Sequence, residues 1–154
     1  MTDTEPDGTG YAEAVRAARE AAGKDPGDLA AALDVSYESY RDIETYDDEL
    51  TSVVSFRDAV TLASLVDLDL RRLFGADETI ATFTELAAAV RTRVGETALE
   101  QFEDEVGWEL SAAMADPTAF AEFTLDGLAD IAAPLGLDWR RLLPLSRGTD
   151  DRPP

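Results

Sequence analysis

The chain has 154 residues, a length that suits one compact domain or two small domains of about 65–75 residues each. Hydrophobic residues make up 45% of it, enough for a core, and no apolar run approaches the roughly 18–20 residues that span a bilayer. Acidic residues outnumber basic ones 33 to 13, for a formal net charge of −20. Because DNA binding normally depends on lysine and arginine that neutralise phosphates, this charge counts against conventional DNA binding.

The sequence contains neither cysteine nor histidine. Their absence excludes disulfides and thiolate chemistry, and it removes the commonest general base and transition-metal ligand. Carboxylate chemistry is left, but neighbouring carboxylates arise by chance in so acidic a chain. We therefore expect a protein that is not an enzyme and that binds no metal or cofactor. The N-terminus lacks the apolar stretch of a signal peptide, which predicts a cytoplasmic location.

The single lysine, Lys24, contrasts with twelve arginines, and aspartate is more frequent than glutamate. This bias indicates a GC-rich genome or a salt-adapted cytoplasm. At about 1 M salt the Debye length is only ~3 Å, and an acidic surface then repels DNA far less.

Residues 1–10 are predicted to form a disordered leader and residues 146–154 a disordered tail. Between them the apolar spacing is helical throughout, so we predict an all-α fold. The first helix is predicted over Tyr11–Ala22 and ends at Gly23. Asp25 and Pro26, an N-cap followed by proline, open the second helix.

Ser36 is predicted to be the N-cap of a third helix, Tyr37–Tyr46. The acidic stretch Asp47-Asp48-Glu49 is interpreted as a solvated loop, because it lacks the ligand alternation of a calcium loop. Two further helices, Phe56–Leu65 and Leu70–Phe74, are predicted before Gly75.

A family resemblance follows from a short set of motifs, Gly23, Leu29-Ala30, Leu33-Asp34-Val35-Ser36 and Ile43-Glu44. They resemble the glycine, Leu-Ala, Leu-Gly-Val-Ser and Ile-Glu of the lambda-repressor-like (Xre/Cro) helix-turn-helix family. The resemblance covers residues 11–75 and implies a five-helix bundle. The positions it places on the buried face of the helix pair are Leu29, Ala30, Leu33, Val35, Tyr40 and Ile43.

In that family the helix after the Val-Ser turn enters the major groove of DNA. The resemblance therefore implies a recognition surface made of Tyr37, Glu38, Ser39, Arg41 and Asp42. The chemistry departs from the family, because Pro26 replaces a frequent glutamine and Tyr37 replaces a frequent arginine or lysine. Carboxylates only accept hydrogen bonds, which leaves Arg41 as the one clear phosphate or guanine ligand.

Residues 76–145 resemble a diverged second copy of the first module. Thr124–Leu143 aligns without gaps to Ser55–Phe74, with six of twenty positions identical. Phe83 and the residues after it echo Tyr11 and its successors. The alternative is that two unrelated helical stretches share only amphipathic periodicity.

Several side chains have a structural and a functional interpretation. Tyr40 is predicted to lie in the core, and Trp108 and Trp139 are predicted to be packing anchors. The pairs Arg71-Arg72 and Arg140-Arg141 are predicted to complement helix dipoles in last turns. The alternative for these pairs is a basic contact across the two repeats.

Two functional hypotheses remain. In the first, the chain is a transcription-regulator-like protein that binds DNA through its first module. In the second, the same fold is a non-enzymatic interaction module: an adaptor, an antitoxin or immunity-like factor, or an acidic DNA mimic. The expected partners are thus DNA, a basic or nucleic-acid-binding protein, or a second copy of the chain. A membrane is not expected.

Overall fold

The computed structural model describes residues 10–76, 80–95 and 99–144. Most of these residues are helical, which confirms the all-α fold class. Their only strand-like pairing is an isolated antiparallel bridge between Ser55 and Thr124. The predicted disordered tail, and the leader except for Gly10, lie outside the described residues.

Residues 10–76 contain the helices α1 (Tyr11–Ala22), α2 (Pro26–Leu33), α3 (Tyr37–Thr45), α4 (Glu49–Ser52), α5 (Phe56–Val66) and α6 (Leu70–Phe74). The second half contains α7 (Phe83–Val94), α8 (Leu99–Val106), α9 (Ser111–Ala115) and α10 (Leu125–Ala132). Three 3₁₀ segments, Pro117–Glu122, Ala133–Leu135 and Trp139–Leu142, complete the described part of this half.

The first three helices begin and end where local sequence chemistry predicts. The Asp25 carboxylate caps α2, with Pro26 in its first turn, and the Ser36 hydroxyl caps α3. Gly23 ends α1 in the left-handed region, with a φ of 70°. The predicted bounds of α3 and α5 differ from the structure by one residue.

The acidic stretch after α3 has a structural role that its composition did not indicate. Its last residue, Glu49, begins the single-turn helix α4, which is anchored by Leu50 at 1% exposure. The Asp47 carboxylate accepts a hydrogen bond from the Ala12 amide at 3.2 Å. This bond satisfies one of the free amides at the N-terminus of α1, because the N-cap residue, Gly10, has no side chain that could accept it. Asp47 and Asp48 are exposed, as predicted, but Glu49 is half-buried in a helical turn, so the prediction of a solvated loop is wrong for this residue.

The aligned segments of the two halves share local backbone features. The N-caps Ser55 and Thr124 each accept from the amide three residues on. The residues with a left-handed backbone, Asp67 and Gly136, also occupy aligned positions. The N-caps that follow them, Asp69 and Asp138, are aligned as well. The helices differ where Pro134 stands opposite Leu65. Because proline lacks an N–H, α10 gives way to a 3₁₀ segment there.

Buried side chains from both halves form one continuous hydrophobic cluster. Helix α5 packs against the segment Pro117–Glu122, and α4 packs against α10. Trp139 packs on Phe74 with ring centroids 5.2 Å apart, and Trp108 packs on Phe123 at 5.3 Å. The prediction that both tryptophans are packing anchors is therefore confirmed.

The two halves also exchange equivalent hydrogen bonds. Arg71 is only 7% exposed, and its Nη1 donates to the Leu143 carbonyl at 2.7 Å. Its aligned counterpart, Arg140, donates through Nη1 to the Phe74 carbonyl at 3.1 Å. Phe74 and Leu143 are themselves aligned, so the contacts are reciprocal, as in an interface with approximate twofold symmetry. Both interpretations of the arginine pairs are thus partly confirmed: all four arginines lie in the last turn of their helical segment, and Arg71 and Arg140 contact the opposite half.

We predict that Arg71→Met lowers the free energy of unfolding by about 2–3 kcal/mol, because it leaves a buried carbonyl of the other half without its charged donor. Urea denaturation followed by circular dichroism measures this loss. The matched control is Arg72→Met at the neighbouring exposed position, which should change stability by less than about 0.5 kcal/mol. Equal losses in the two variants would contradict the structural role of Arg71.

Candidate functional site

Helix α3 is held in place by one buried face. Tyr40 is 0% exposed and Ile43 is 3% exposed, and they pack in the cluster that also contains Leu29 and Leu33 of α2. The prediction that Tyr40 belongs to the core is confirmed. The opposite face of α3 is thereby fixed toward solvent.

A buried polar network ties α3 to α1. Glu44, with its side chain 4% exposed, accepts from Arg19 Nε at 2.6 Å and from Arg19 Nη2 at 3.2 Å. The Tyr40 hydroxyl donates to the same carboxylate at 2.5 Å. Burial is the largest cause that raises the pKa of Tyr40, and the hydrogen bond from Tyr40 to Glu44 raises it further. The hydrogen bond from Arg19 to Glu44 raises the pKa of Arg19. Arg19 is therefore engaged within the fold.

A short turn sets the angle between α2 and α3. Asp34 has a φ of 61°, a left-handed conformation that aspartate adopts more readily than most side chains. The Val35 amide donates to the Ala30 carbonyl at 3.0 Å, and Val35 is half-buried. Since the turn is closed by backbone bonds and by the Ser36 cap, the two helices keep a defined relation.

The structure separates the five predicted recognition residues into two groups. Tyr37, at 51% exposure, lies beside Arg41, whose Nη1 donates to the Tyr37 hydroxyl at 3.3 Å. The Arg41 guanidinium lies 5.9 Å from the Tyr37 ring centroid. Glu38 is also exposed. These three side chains are available to a ligand.

The other two predicted residues have local partners or less exposure. Ser39 is exposed, but its amide and its hydroxyl both bond to the Ser36 hydroxyl, as part of the N-cap of α3. Asp42 is half-buried and lies close enough to Glu49 to influence it. Burial raises the pKa of Glu49, and the charges of Asp42 and Asp48 raise it further.

The surface around α3 is thus strongly acidic. Residues 24–49 include eight acidic side chains besides the buried Glu44, against two basic ones, Lys24 and Arg41. Glu49 was not among the predicted site residues, because its proximity to Asp42 depends on the turn of α4. The periodicity of α3 alone carries no signal for it.

The arginines within the described ranges are largely engaged in internal contacts. Five of the ten pair with carboxylates, namely Arg16, Arg19, Arg57, Arg93 and Arg140. Three others donate to backbone carbonyls, namely Arg71, Arg91 and Arg141. A DNA phosphate would have to compete with these carboxylates and carbonyls for most of the positive charge.

The described residues contain no group of three or more acidic side chains arranged to hold a metal ion. In the same ranges, no helix combines the length and apolarity required to cross a membrane. No protein-family model, curated protein or solved structure matches the chain.

We predict that Glu44→Gln destabilises the protein by about 3 kcal/mol, because it removes the charged partner of the largely buried Arg19. Chemical denaturation at neutral pH measures the effect. The control is Glu13→Gln, whose exposed carboxylate pairs with Arg16 and should contribute less than about 1 kcal/mol. A loss for Glu44→Gln no larger than for Glu13→Gln would refute the role of the network.

A second prediction concerns pH. Because the pKa of Glu49 is raised in the folded state, its contribution to stability is present at low pH and is lost as pH rises through the folded pKa. Glu49→Gln cannot ionise, so it should be more stable than the parent by about 0.5 kcal/mol at neutral pH. The difference should vanish below the ordinary glutamate value of 4.5.

The matched background for this measurement is Asp42→Asn. With the Asp42 charge removed, the gain from Glu49→Gln at neutral pH should become smaller. Unfolding curves of the four proteins, collected over a pH series, give the comparison. An unchanged gain in the Asp42→Asn background would show that the two carboxylates do not interact.

Proposed function

We propose that the chain is a non-enzymatic regulatory protein of the helix-turn-helix type that binds a basic protein partner through the exposed face of α3. The α2–α3 pair supports the lambda-repressor-like assignment through its three-residue turn, its serine N-cap and its buried face. The observation that carries the choice of partner is the charge around α3, where residues 24–49 hold eight acidic residues besides the buried Glu44 against two basic ones.

The electrostatics of this face favour a cationic partner. A surface of one sign accelerates encounter with a surface of the opposite sign and repels a like-charged polyanion such as DNA. Glu38 on α3 and the exposed Asp28 and Asp34 nearby in sequence supply the charge. Tyr37, half-exposed among them, supplies the kind of aromatic anchor that is common at protein interfaces.

The chemistry of this surface defines the partner more closely. A protein whose own binding surface is lined by lysine and arginine, such as a nucleic-acid-binding protein, is complementary to an acidic helix face. The chain would then occupy that surface in place of nucleic acid. This is the acidic DNA-mimic form of the interaction module.

DNA is the second candidate, and one observation favours it. Arg41 is exposed on α3 and bonds to the Tyr37 hydroxyl, so a guanidinium and an aromatic ring lie together on this face. In a host with about molar salt, screening to ~3 Å would reduce the repulsion between the other side chains and the phosphates.

Two variants of neighbouring exposed residues on α3, Glu38→Gln and Arg41→Ala, separate the candidates. We predict that Glu38→Gln weakens binding to a basic protein several-fold, whereas Arg41→Ala leaves it unchanged or strengthens it. For DNA the prediction is the reverse, with Arg41→Ala weakening binding. Circular dichroism of both variants verifies that the fold is retained.

The measurement is displacement of a fluorescent DNA duplex from a basic DNA-binding domain, read by anisotropy from low to molar salt. The proposed function predicts that the chain displaces the duplex and that displacement weakens as salt rises. Direct binding of the chain to the duplex alone is the parallel assay. Displacement that is absent at every salt concentration, or that Glu38→Gln does not reduce, overturns the basic-partner proposal.

A further inference from the structure

The turn that forms α4 carries two of the four large hydrophobic side chains that are exposed in the described ranges. Val53 is 62% exposed, the highest value of the four, and Tyr46 is 55% exposed. They lie one turn to either side of Glu49, because the Glu49 amide donates to the Tyr46 carbonyl at 3.1 Å and the Val53 amide donates to the Glu49 carbonyl at 3.0 Å. Tyr46, Glu49 and Val53 are called the α4 surface below.

The α4 surface belongs to an anchored part of the fold. On the inner side of the turn, Leu50 packs in the hydrophobic cluster at 1% exposure. At the end of the turn, the Ser52 hydroxyl donates to the Asp126 carboxylate of α10 at 2.5 Å. The turn is therefore tied to both halves, and Tyr46 and Val53 project from a fixed backbone.

Carboxylates surround the two apolar side chains. Asp48 directly precedes Glu49, and the bond from Ser52 brings Asp126 to the same turn. The charges of Asp42 and Asp48 add to burial in raising the pKa of Glu49, so Asp42 of α3 also lies close. None of these four acids forms an ion pair with a lysine or arginine of the described ranges. Cations from a partner would be attracted to them.

An apolar centre with a charged rim is the usual anatomy of a protein interface. DNA is repelled by these carboxylates. A second copy of the chain would bring like charges together, since each copy has a formal net charge of −20. The chemistry that matches both features is a protein segment in which an apolar side chain is flanked by lysines or arginines.

We propose that the α4 surface docks a basic, amphipathic segment of a protein partner. An aliphatic or aromatic side chain of that segment packs against Tyr46 and Val53, and its cations pair with the surrounding carboxylates. The partner is the one in the proposed function, on which this inference rests, because Asp42 connects α3 to the α4 surface. What is added is that the basic partner carries an apolar anchor.

The test uses two fluorescent peptides of about four helical turns each. Both carry the same lysines, and one has leucines on a single helix face where the other has alanines, which are equally good helix formers. Binding to the full chain is read by anisotropy. We expect the leucine peptide to bind at least about fivefold more tightly than the alanine peptide.

Val53→Ser removes an exposed apolar side chain and leaves the charge unchanged. It should weaken the leucine peptide at least about fivefold and the alanine peptide less than about twofold. The matched control is Ile80→Ser, which removes an exposed apolar side chain elsewhere and should leave both peptides unchanged.

Asp48→Asn tests the charged rim, because the Asp48 side chain makes no capping bond that its loss would break. It should weaken both peptides more than Glu100→Gln, which removes the same charge from an exposed position on α8.

Three results overturn the proposal. They are equal affinity of the two peptides, equal losses for Val53→Ser and Ile80→Ser, and sedimentation in which Val53→Ser converts a dimer of the chain into a monomer. The last result would assign the α4 surface to a second copy. If Glu38→Gln reduces DNA displacement while Val53→Ser changes neither peptide, the proposed function stands and this inference alone fails. DNA displacement that is insensitive to Glu38→Gln counts instead against the proposed function.

Discussion

The rest of the structure depends on two reciprocal hydrogen bonds that arginine side chains donate from each half to the other. A guanidinium inside a core is stable only when its donors find acceptors, and Arg71 finds them in the last carbonyls of the opposite half. Arg140 makes the equivalent bond to Phe74. Each half thus supplies the donor for a carbonyl at the end of the last helical segment of the other half. The buried side chains of the two halves also form one core rather than two independent ones.

The need of buried arginines for internal acceptors also reduces the positive charge that is left on the surface. The network of Arg19, Glu44 and Tyr40 fixes α3 against α1, and it engages one of the few positive charges near that helix. Burying arginine against carbonyls and carboxylates therefore stabilises the fold and leaves the outside acidic. On α3 itself the exposed charged side chains are Glu38 and Arg41, since the carboxylate of Glu44 is buried against Arg19.

Local chemistry made a large part of this structure predictable, and tertiary contacts account for the rest. The bounds of α1, α2 and α3 follow from Gly23, Asp25 and Ser36, whose effects act within a few residues. The aligned arginines were visible as a repeated pair, but which carbonyls they bond depends on the packing of the halves. Of the predicted site residues, Tyr37, Glu38 and Arg41 are exposed together. The bond between Ser36 and the Ser39 amide follows from the predicted N-cap, whereas the proximity of Asp42 to Glu49 required the folded chain.

The two halves differ most in the segment that forms α3 in the first half. In place of α3, the second half has the five-residue α9, preceded by Trp108. This indole lies so close to α10 that a Cβ on Gly127 would come within 2.7 Å of it, and its Nε1 donates to Asp130 at 3.3 Å. This segment of the second half therefore packs on α10, whereas α3 of the first half keeps an exposed face.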